Sequence, residues 1–184
     1  HRAAGARPRP LAGHAAVEDR QAVTRVFLSL GSNLGDRLAH LRAALEALDR
    51  GPRMKLRRAS RVYETAPVEV EEDQPDYLNC VAEIECGVPA IELLRYCQGV
   101  ESALGRVRKG EKAPRTIDVD VLLFGEAVID ESDLEVPHRG ITRPFNLEGL
   151  ADLDSDLHIP GHGRVEDLLA AADRSGIRGV RALC

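Results

Sequence analysis

Hydrophobic positions recur every second residue in some stretches of the chain and every third or fourth in others, and the two spacings lay out an order of elements. Arg25 to Leu30 is a short apolar run that reads as a buried strand. It enters Gly31-Ser32-Asn33-Leu34-Gly35-Asp36, a turn of small and polar residues that closes with a good N-cap. Leu38, Leu41, Leu45 and Leu48 then share one stripe of a helix over Arg37 to Arg50, and Gly51-Pro52 stops it. Leu56 to Thr65 predicts a strand, and Ala66 to Asp76 an irregular acidic loop. Tyr77 to Cys86 predicts a second strand, with Leu78, Cys80, Ala82, Ile84 and Cys86 on one face and Tyr77, Asn79 and Val81 on the other. A helix follows from near Pro89 to about Leu104 on the stripe Leu93, Cys97, Val100 and Leu104. Gly105 to Arg115 is a basic loop, and Thr116 to Phe124 is a strand.

The resulting βαββαβ order predicts an α+β protein. It is a ferredoxin-like sandwich, a mainly antiparallel sheet with helices packed on it. Beyond it the pattern predicts a short strand around Ala127 to Ile129, a loop holding Pro137-His138 and Arg143-Pro144-Phe145, and small helices near Leu147 to Leu153 and Val165 to Ala172. Residues 1–23 have neither period and read as a disordered leader: a native extension, a targeting segment or an expression remnant. Residues 24–184 read as one catalytic domain.

The strand at Pro114 to Phe124 carries the chemistry. Alternation puts Ile117, Val119, Val121 and Leu123 on one face and Asp118, Asp120, Leu122 and Phe124 on the other, so two carboxylates are neighbours in an apolar strand. Burying such a pair costs several kcal/mol unless a cation faces it. Hard oxygen ligands suit Mg²⁺, which takes its other ligands from water and substrate phosphates. Arg106, Arg108, Lys109, Lys112 and Arg115 precede the acids and complement polyphosphate. A magnesium-nucleotide site is one reading; acids that simply pair with these bases at a strand end are the other.

Composition narrows the partners. A net charge of −5 and a pI near 5.7 give no support to nucleic-acid binding, so the local basic residues point to a small anion. No apolar stretch is long enough to cross a bilayer, and a cytoplasmic monomer is expected. Cys80, Cys86, Cys97 and Cys184 show no C-x-x-C pairing and read as core thiols of a reducing compartment.

Six collinear motifs close the reading: Gly31-Ser32-Asn33-Leu34-Gly35-Asp36, Tyr63-Glu64-Thr65-Ala66-Pro67, Gln74-Pro75-Asp76-Tyr77-Leu78-Asn79, Gly105-Arg106-Val107-Arg108, Pro114 through Asp120, and Val136-Pro137-His138. Together they closely resemble the 6-hydroxymethyl-7,8-dihydropterin pyrophosphokinases of folate synthesis, over roughly Val26 to Leu169. The resemblance implies transfer of diphosphate from ATP to a reduced pterin alcohol, with AMP leaving. It implies that Asp118 and Asp120 hold two Mg²⁺ ions and, with Arg106 and Arg115, carry the catalysis. Gln98, Glu101, Arg106, Arg108, Arg115, His138 and Arg143 match ATP-side residues, and Thr65, Pro67, Val68, Tyr77, Asn79 and Phe145 match pterin-side residues. Some members of the family carry a tryptophan in the basic loop, whereas this chain has none. Without the resemblance, two readings stay open: a nucleotidyl transferase with a D-x-D metal site, and a non-catalytic ferredoxin-like binding module. Gln98 and Glu101 also read as a solvated helix face, and the 31–36 segment as a structural turn near the pterin pocket.

Overall fold

A computed structural model describes residues 22–68, 73–106 and 114–183. At its centre is β1 (Thr24–Ser32). Val26, Leu28 and Leu30 enter one core layer while Phe27 enters the other, so the strand is buried on both faces and reads as a continuous apolar run. The strand extends two residues past the predicted turn boundary at Leu30. Gly31 and Ser32 still pair with the neighbouring strand, and the turn begins only after them. Helix α1 (Arg37–Asp49) starts where predicted, with the Asp36 carboxylate accepting from the Ala39 N–H at 3.0 Å.

The predicted strand from Leu56 to Thr65 is two strands, β2 (Met54–Ala59) and β3 (Val62–Thr65). The break falls at Ser60, which bonds to Val81 twice: its N–H donates to the Val81 carbonyl at 2.8 Å, and its hydroxyl accepts from the Val81 N–H at 2.8 Å. Both strands pair with β4 (Tyr77–Cys86), β2 along its second half and β3 along its first. Helix α2 (Ala90–Ala103) and β5 (Asp118–Phe124) complete the βαββαβ order. The hairpin β6 (Ile129–Asp130) and β7 (Glu135–Val136) follows, then α3 (Pro144–Asp154), the pair β8 (His158–Ile159) and β9 (Gly163–Arg164), α4 (Val165–Ala171) and β10 (Ile177–Arg181). The predicted strand at Ala127 is thus displaced toward Asp130, and β10 was not foreseen: a five-residue strand with Gly179 inside it carries little pattern.

The main sheet runs β10-β3-β4-β1-β5, with β2 also on β4, and every pairing is antiparallel. Strand β4 lies between β1 and the β2/β3 pair, which is the split βαβ arrangement expected of a ferredoxin-like sheet. Helices α1 and α2 bury Leu41, Leu45, Leu48, Leu93, Cys97 and Val100 on one face, and α3 and α4 bury Leu147, Leu150, Leu153 and Val165 on the other. Each fully buried side chain of this size stabilises the fold by about 1.5–3 kcal/mol. Cys80, Cys86 and Cys97 are buried free thiols, as expected of core cysteines; Cys184 lies outside the described residues. So do residues 1–21 of the predicted leader and Glu69, Glu71, Glu72, Arg108, Lys109 and Lys112 of the two predicted loops. Among the described residues no helix is long and apolar enough to cross a membrane.

Strict alternation fails once along β5. Leu122 and Leu123 both join the α3/α4 layer, although Leu123 was expected beside Val121. Phe27 pairs with Leu123 while Leu28 pairs with Val121, so a bulge inserts one residue and reverses the faces beyond it. Asp118 and Asp120 lie before the bulge and keep their common face.

Candidate active site

The end of β1 organises the site. Gly31 pairs with Asn79 on β4 and with Asp118 on β5. Asn79 and Tyr77 face away from the Leu78/Cys80 layer, and Asp118 and Asp120 away from the Ile117/Val119 layer. Amide and carboxylates therefore share one face of the sheet, separated by the width of one strand.

On the β5 side, Asp118 accepts from Arg106 Nη1 at 2.7 Å and from Arg115 Nη1 at 2.9 Å. Arg106 also pairs with Glu101 of α2. Glu101 is buried and accepts from the Val119 N–H at 2.8 Å, so it is no solvated helix residue. Burial first, then Asp118, pushes its carboxyl pKa upward. Gln98, one turn earlier, is half-buried. Asp120 keeps 42% of its side chain exposed, and its ion contact with His138 Nε2 is long, 3.8 Å. Desolvation, followed by the charges of Asp118 and Glu101, pushes its pKa up to about 7.

The segment after β7 supplies the other wall. The His138 N–H donates to the Leu122 carbonyl at 3.0 Å, docking the loop on β5. The His138 ring accepts at Nδ1 from the Gly140 N–H at 3.0 Å, which leaves Nε2 toward Asp120. Burial and then Arg143 lower the His138 pKa. Arg143 is exposed just before α3, and Phe145 sits half-buried in its first turn. The next residue, buried Asn146, accepts from the Ser29 hydroxyl at 2.7 Å and donates to the Gly140 carbonyl at 2.8 Å. One amide thus fixes the Arg143–Phe145 stretch and the His138 loop to β1. A cavity of about 230 Å³ opens beside Asp120 and His138, lined by Leu94 and residues 130–135 of the β6–β7 hairpin. No sequence motif marked residues 130–135 of that hairpin.

On the β4 side, Asn79 Nδ2 donates to Thr65 Oγ1 at 2.9 Å, and both side chains are buried. Tyr77 and Pro67 are half-buried, and Val68 is 77% exposed. Asn33, which sequence reading left in a structural turn, is fully buried and spans both halves. Its Oδ1 accepts from the Arg115 N–H at 2.9 Å, and its Nδ2 donates to Gln74 Oε1 at 3.2 Å and the Pro75 carbonyl at 3.3 Å. These partners lie 41 to 82 residues away, beyond any local signal.

Among the described residues no group of three or more His, Cys, Asp or Glu forms a cation cage. Two adjacent hard-oxygen donors without a cage fit a cation that takes its remaining ligands from phosphate and water. The acid-with-arginine alternative is also realised in part, since both arginines rest on Asp118.

Known proteins resemble this chain over most of its length. A family model described as 7,8-dihydro-6-hydroxymethylpterin-pyrophosphokinase (HPPK) matches residues 27–155. The 2-amino-4-hydroxy-6-hydroxymethyldihydropteridine pyrophosphokinase of Pseudomonas aeruginosa is 40% identical, over 84% of this chain and 96% of that protein. The protein of the same name from Bacillus subtilis is 37% identical, over 83% of this chain and 87% of its own length. Among solved structures, a wild-type HPPK-DHPS chain of Plasmodium falciparum with pterin and p-hydroxybenzoate has a TM-score of 0.64 at 15% identity, covering 82% of this chain and 42% of that one. This chain spans less than half of that larger chain, and the likeness shows the shared fold. With a family match over most of the chain, full-length relatives well above 30% identity and the acid-bearing strand inside the matched span, the chain belongs to the 7,8-dihydro-6-hydroxymethylpterin-pyrophosphokinase family.

Proposed function

We propose that the protein transfers diphosphate from ATP to the hydroxymethyl oxygen of 6-hydroxymethyl-7,8-dihydropterin, giving AMP and the pterin diphosphate in folate synthesis. The observation that carries this reading is the placement of the Asp118/Asp120 pair and the Asn79–Thr65 pair on one sheet face, on either side of Gly31. An anion-handling half and a heterocycle-reading half face each other across a single strand. Asp118 and Asp120 would hold Mg²⁺, two ions by likeness to the family, which neutralises phosphate charge and orients the reacting oxygens when bound.

The remaining roles belong to the chain. Arg106 and Arg115 rest on Asp118 and are the donors that move onto the triphosphate, and Arg108 and Arg143 are further ATP-side residues by likeness to the family. Glu101 holds Arg106 and the β5 backbone in place. His138, beside Asp120, and Gln98 of α2 lie on the nucleotide side by likeness to the family. Asn79 and Thr65, with Pro67 and Val68, read the polar rim of the pterin, and Tyr77 and Phe145 supply its aromatic contacts. The hydroxyl oxygen bonds to the β-phosphorus as the bond to the α,β-bridging oxygen breaks, and AMP leaves with that electron pair. The hydroxyl proton is released. Positioning and charge stabilisation carry the rate, and no covalent enzyme intermediate forms.

Incubation with ATP, Mg²⁺ and 6-hydroxymethyl-7,8-dihydropterin, followed by product identification, tests the reading. AMP with pterin diphosphate is expected. Release of pyrophosphate would mark a nucleotidyl transferase, and no turnover by folded protein would leave only a binding module; either result sinks the proposal.

A further inference from the structure

Two buried polar side chains meet where apolar ones would pack as well. Ser29 stands in the otherwise apolar Val26–Leu30 run of β1 and is 7% exposed. Asn146 shares its face of α3 with Leu150 and Leu153 and is 3% exposed. Burying either group is costly unless it is hydrogen-bonded, and the Ser29 hydroxyl donates to Asn146 Oδ1 at 2.7 Å. Replacing such a pair by two apolar groups is close to neutral for stability, so the fold alone does not call for it.

What the pair holds does call for it. Asn146 Nδ2 donates to the Gly140 carbonyl at 2.8 Å, and the Arg143 N–H reaches the same oxygen at 3.1 Å. On its other side the Gly140 N–H donates to His138 Nδ1 at 3.0 Å, and the Ile141 N–H donates to the His138 carbonyl at 2.9 Å. Buried Gly140 is thus the centre of a tight turn. A Cβ on it would stand 3.3 Å from both His138 Nδ1 and Arg143 Nε, so the two side chains meet over the same bare backbone. At the far end, Ser29 is the cross-strand partner of Asp120 on β5. A line of hydrogen bonds therefore runs from the strand position beside Asp120, through Asn146, to the turn that carries His138 and Arg143.

We propose that Ser29 and Asn146 are a positioning pair for the nucleotide side, fixing the Gly140 turn so that His138 and Arg143 keep a set place relative to Asp120. This rests on the pyrophosphokinase reading above, in which those two side chains serve ATP, and adds two residues that act only through others. Asparagine suits the task because its amide accepts at one end and donates at the other. Leucine has similar size and a better helix preference but makes neither bond. Phe145 lies within α3, where Leu147, Leu150 and Leu153 hold the helix independently, so loss of the pair falls on ATP more than on the pterin.

Steady-state kinetics and thermal unfolding of the wild type, Ser29→Ala, Asn146→Leu and the double variant test this. A wild type that makes no pterin diphosphate overturns the functional reading and this inference with it. With an active wild type, the double variant is expected to melt within about 4 °C of it, both buried polar groups having gone together. Its kcat/KM for ATP is expected to fall about tenfold or more, while KM for the pterin stays within about twofold. Losses from the two single variants should not add, because either change breaks the same line of bonds. A double variant as active as wild type, additive losses, an equal effect on both substrates, or activity that falls only in step with melting temperature overturns the inference. Should the double variant not fold, Ser29→Ala decides, since it deletes one hydroxyl: a fall in kcat/KM for ATP of about threefold or more supports the pair, and an unchanged value overturns it.

Discussion

Two carboxylates on the same face of the same sheet are each held by two arginines, and only one of them belongs to the candidate site. Glu83 of β4, opposite Phe27, accepts from Arg25 Nε at 2.7 Å and Arg58 Nη2 at 2.5 Å. Asp118 of β5, opposite Gly31, accepts from Arg106 and Arg115 at 2.7 and 2.9 Å. The bonds are alike; the company is not. Glu83 shares Arg25 with Asp154, and that arginine is stacked 4.8 Å over Phe27. Asp118 shares Arg106 with Glu101 and in addition has a further acid, Asp120, two residues along the same face of the strand. Burial pushes the Glu83 pKa up, but its two arginines outweigh this and the net shift is down; at Asp120 burial and neighbouring acids both push up. An arginine pair on an acid is therefore no mark of function. The mark is an acid in excess of its partners, held there at a cost that a bound cation would offset.

The widest separation between the two clusters is expected from Asp120→Ala. Metal-dependent turnover should fall by about 10³-fold or more, the scale on which charge-stabilising groups act in phosphoryl transfer. The fold should survive, because the change removes a like charge from beside Asp118 and Glu101. Steady-state rates with Mg²⁺ and thermal unfolding measure the two halves, and a fully active variant would refute the metal role. Glu83→Gln should behave in the opposite sense. Two arginines lose their charged acceptor, costing about 1–3 kcal/mol of stability, while kcat stays within about twofold. A turnover defect at preserved stability would show that the clusters are not distinct.

The acids themselves were legible, because period 2 in Ile117 to Val121 places them on one face whatever the rest of the chain does. Leu123 was assigned the wrong face because a bulge is set by the register against Phe27 and Leu28, which strand alternation does not contain. The Ser60 break has the same origin, in a pairing with Val81 across the sheet. Asp36 as N-cap and the stripes of α1 and α2 are local facts and were readable as such. Within the site, the unread residues are those whose meaning depends on distant partners. Glu101, matched to the ATP side by resemblance, read equally as a solvated helix face until α2 was laid on β5, and Asn33 looked like a turn former until Gln74, Pro75 and Arg115 converged on it. Asn146 carries no motif and acquires its role from Ser29. Small polar residues near a strand end satisfy both a turn and a clamp, and only tertiary contact distinguishes them.

The smallest difference between the clusters lies in their response to acid. Glu83 has a folded-state pKa below its ordinary 4.5, the arginine bonds prevailing over burial. A depressed carboxylate contributes stability that is present above its unfolded pKa and lost as pH falls through the folded one. Asp152 follows the same rule below its ordinary 3.8: burial raises it, and bonds from Arg61 and from the Tyr63 hydroxyl, the latter at 2.6 Å, prevail. Melting temperature followed from neutral pH down to about pH 3 should therefore drop steeply below pH 4.5 in the wild type. Glu83→Gln removes one of the contributors, so its curve begins lower at neutral pH and falls less steeply in acid, the two curves converging. Parallel curves would mean that Glu83 titrates as it does in the unfolded chain. Its arginines would then hold it by geometry alone, and the contrast with Asp118 would reduce to the number of acids present.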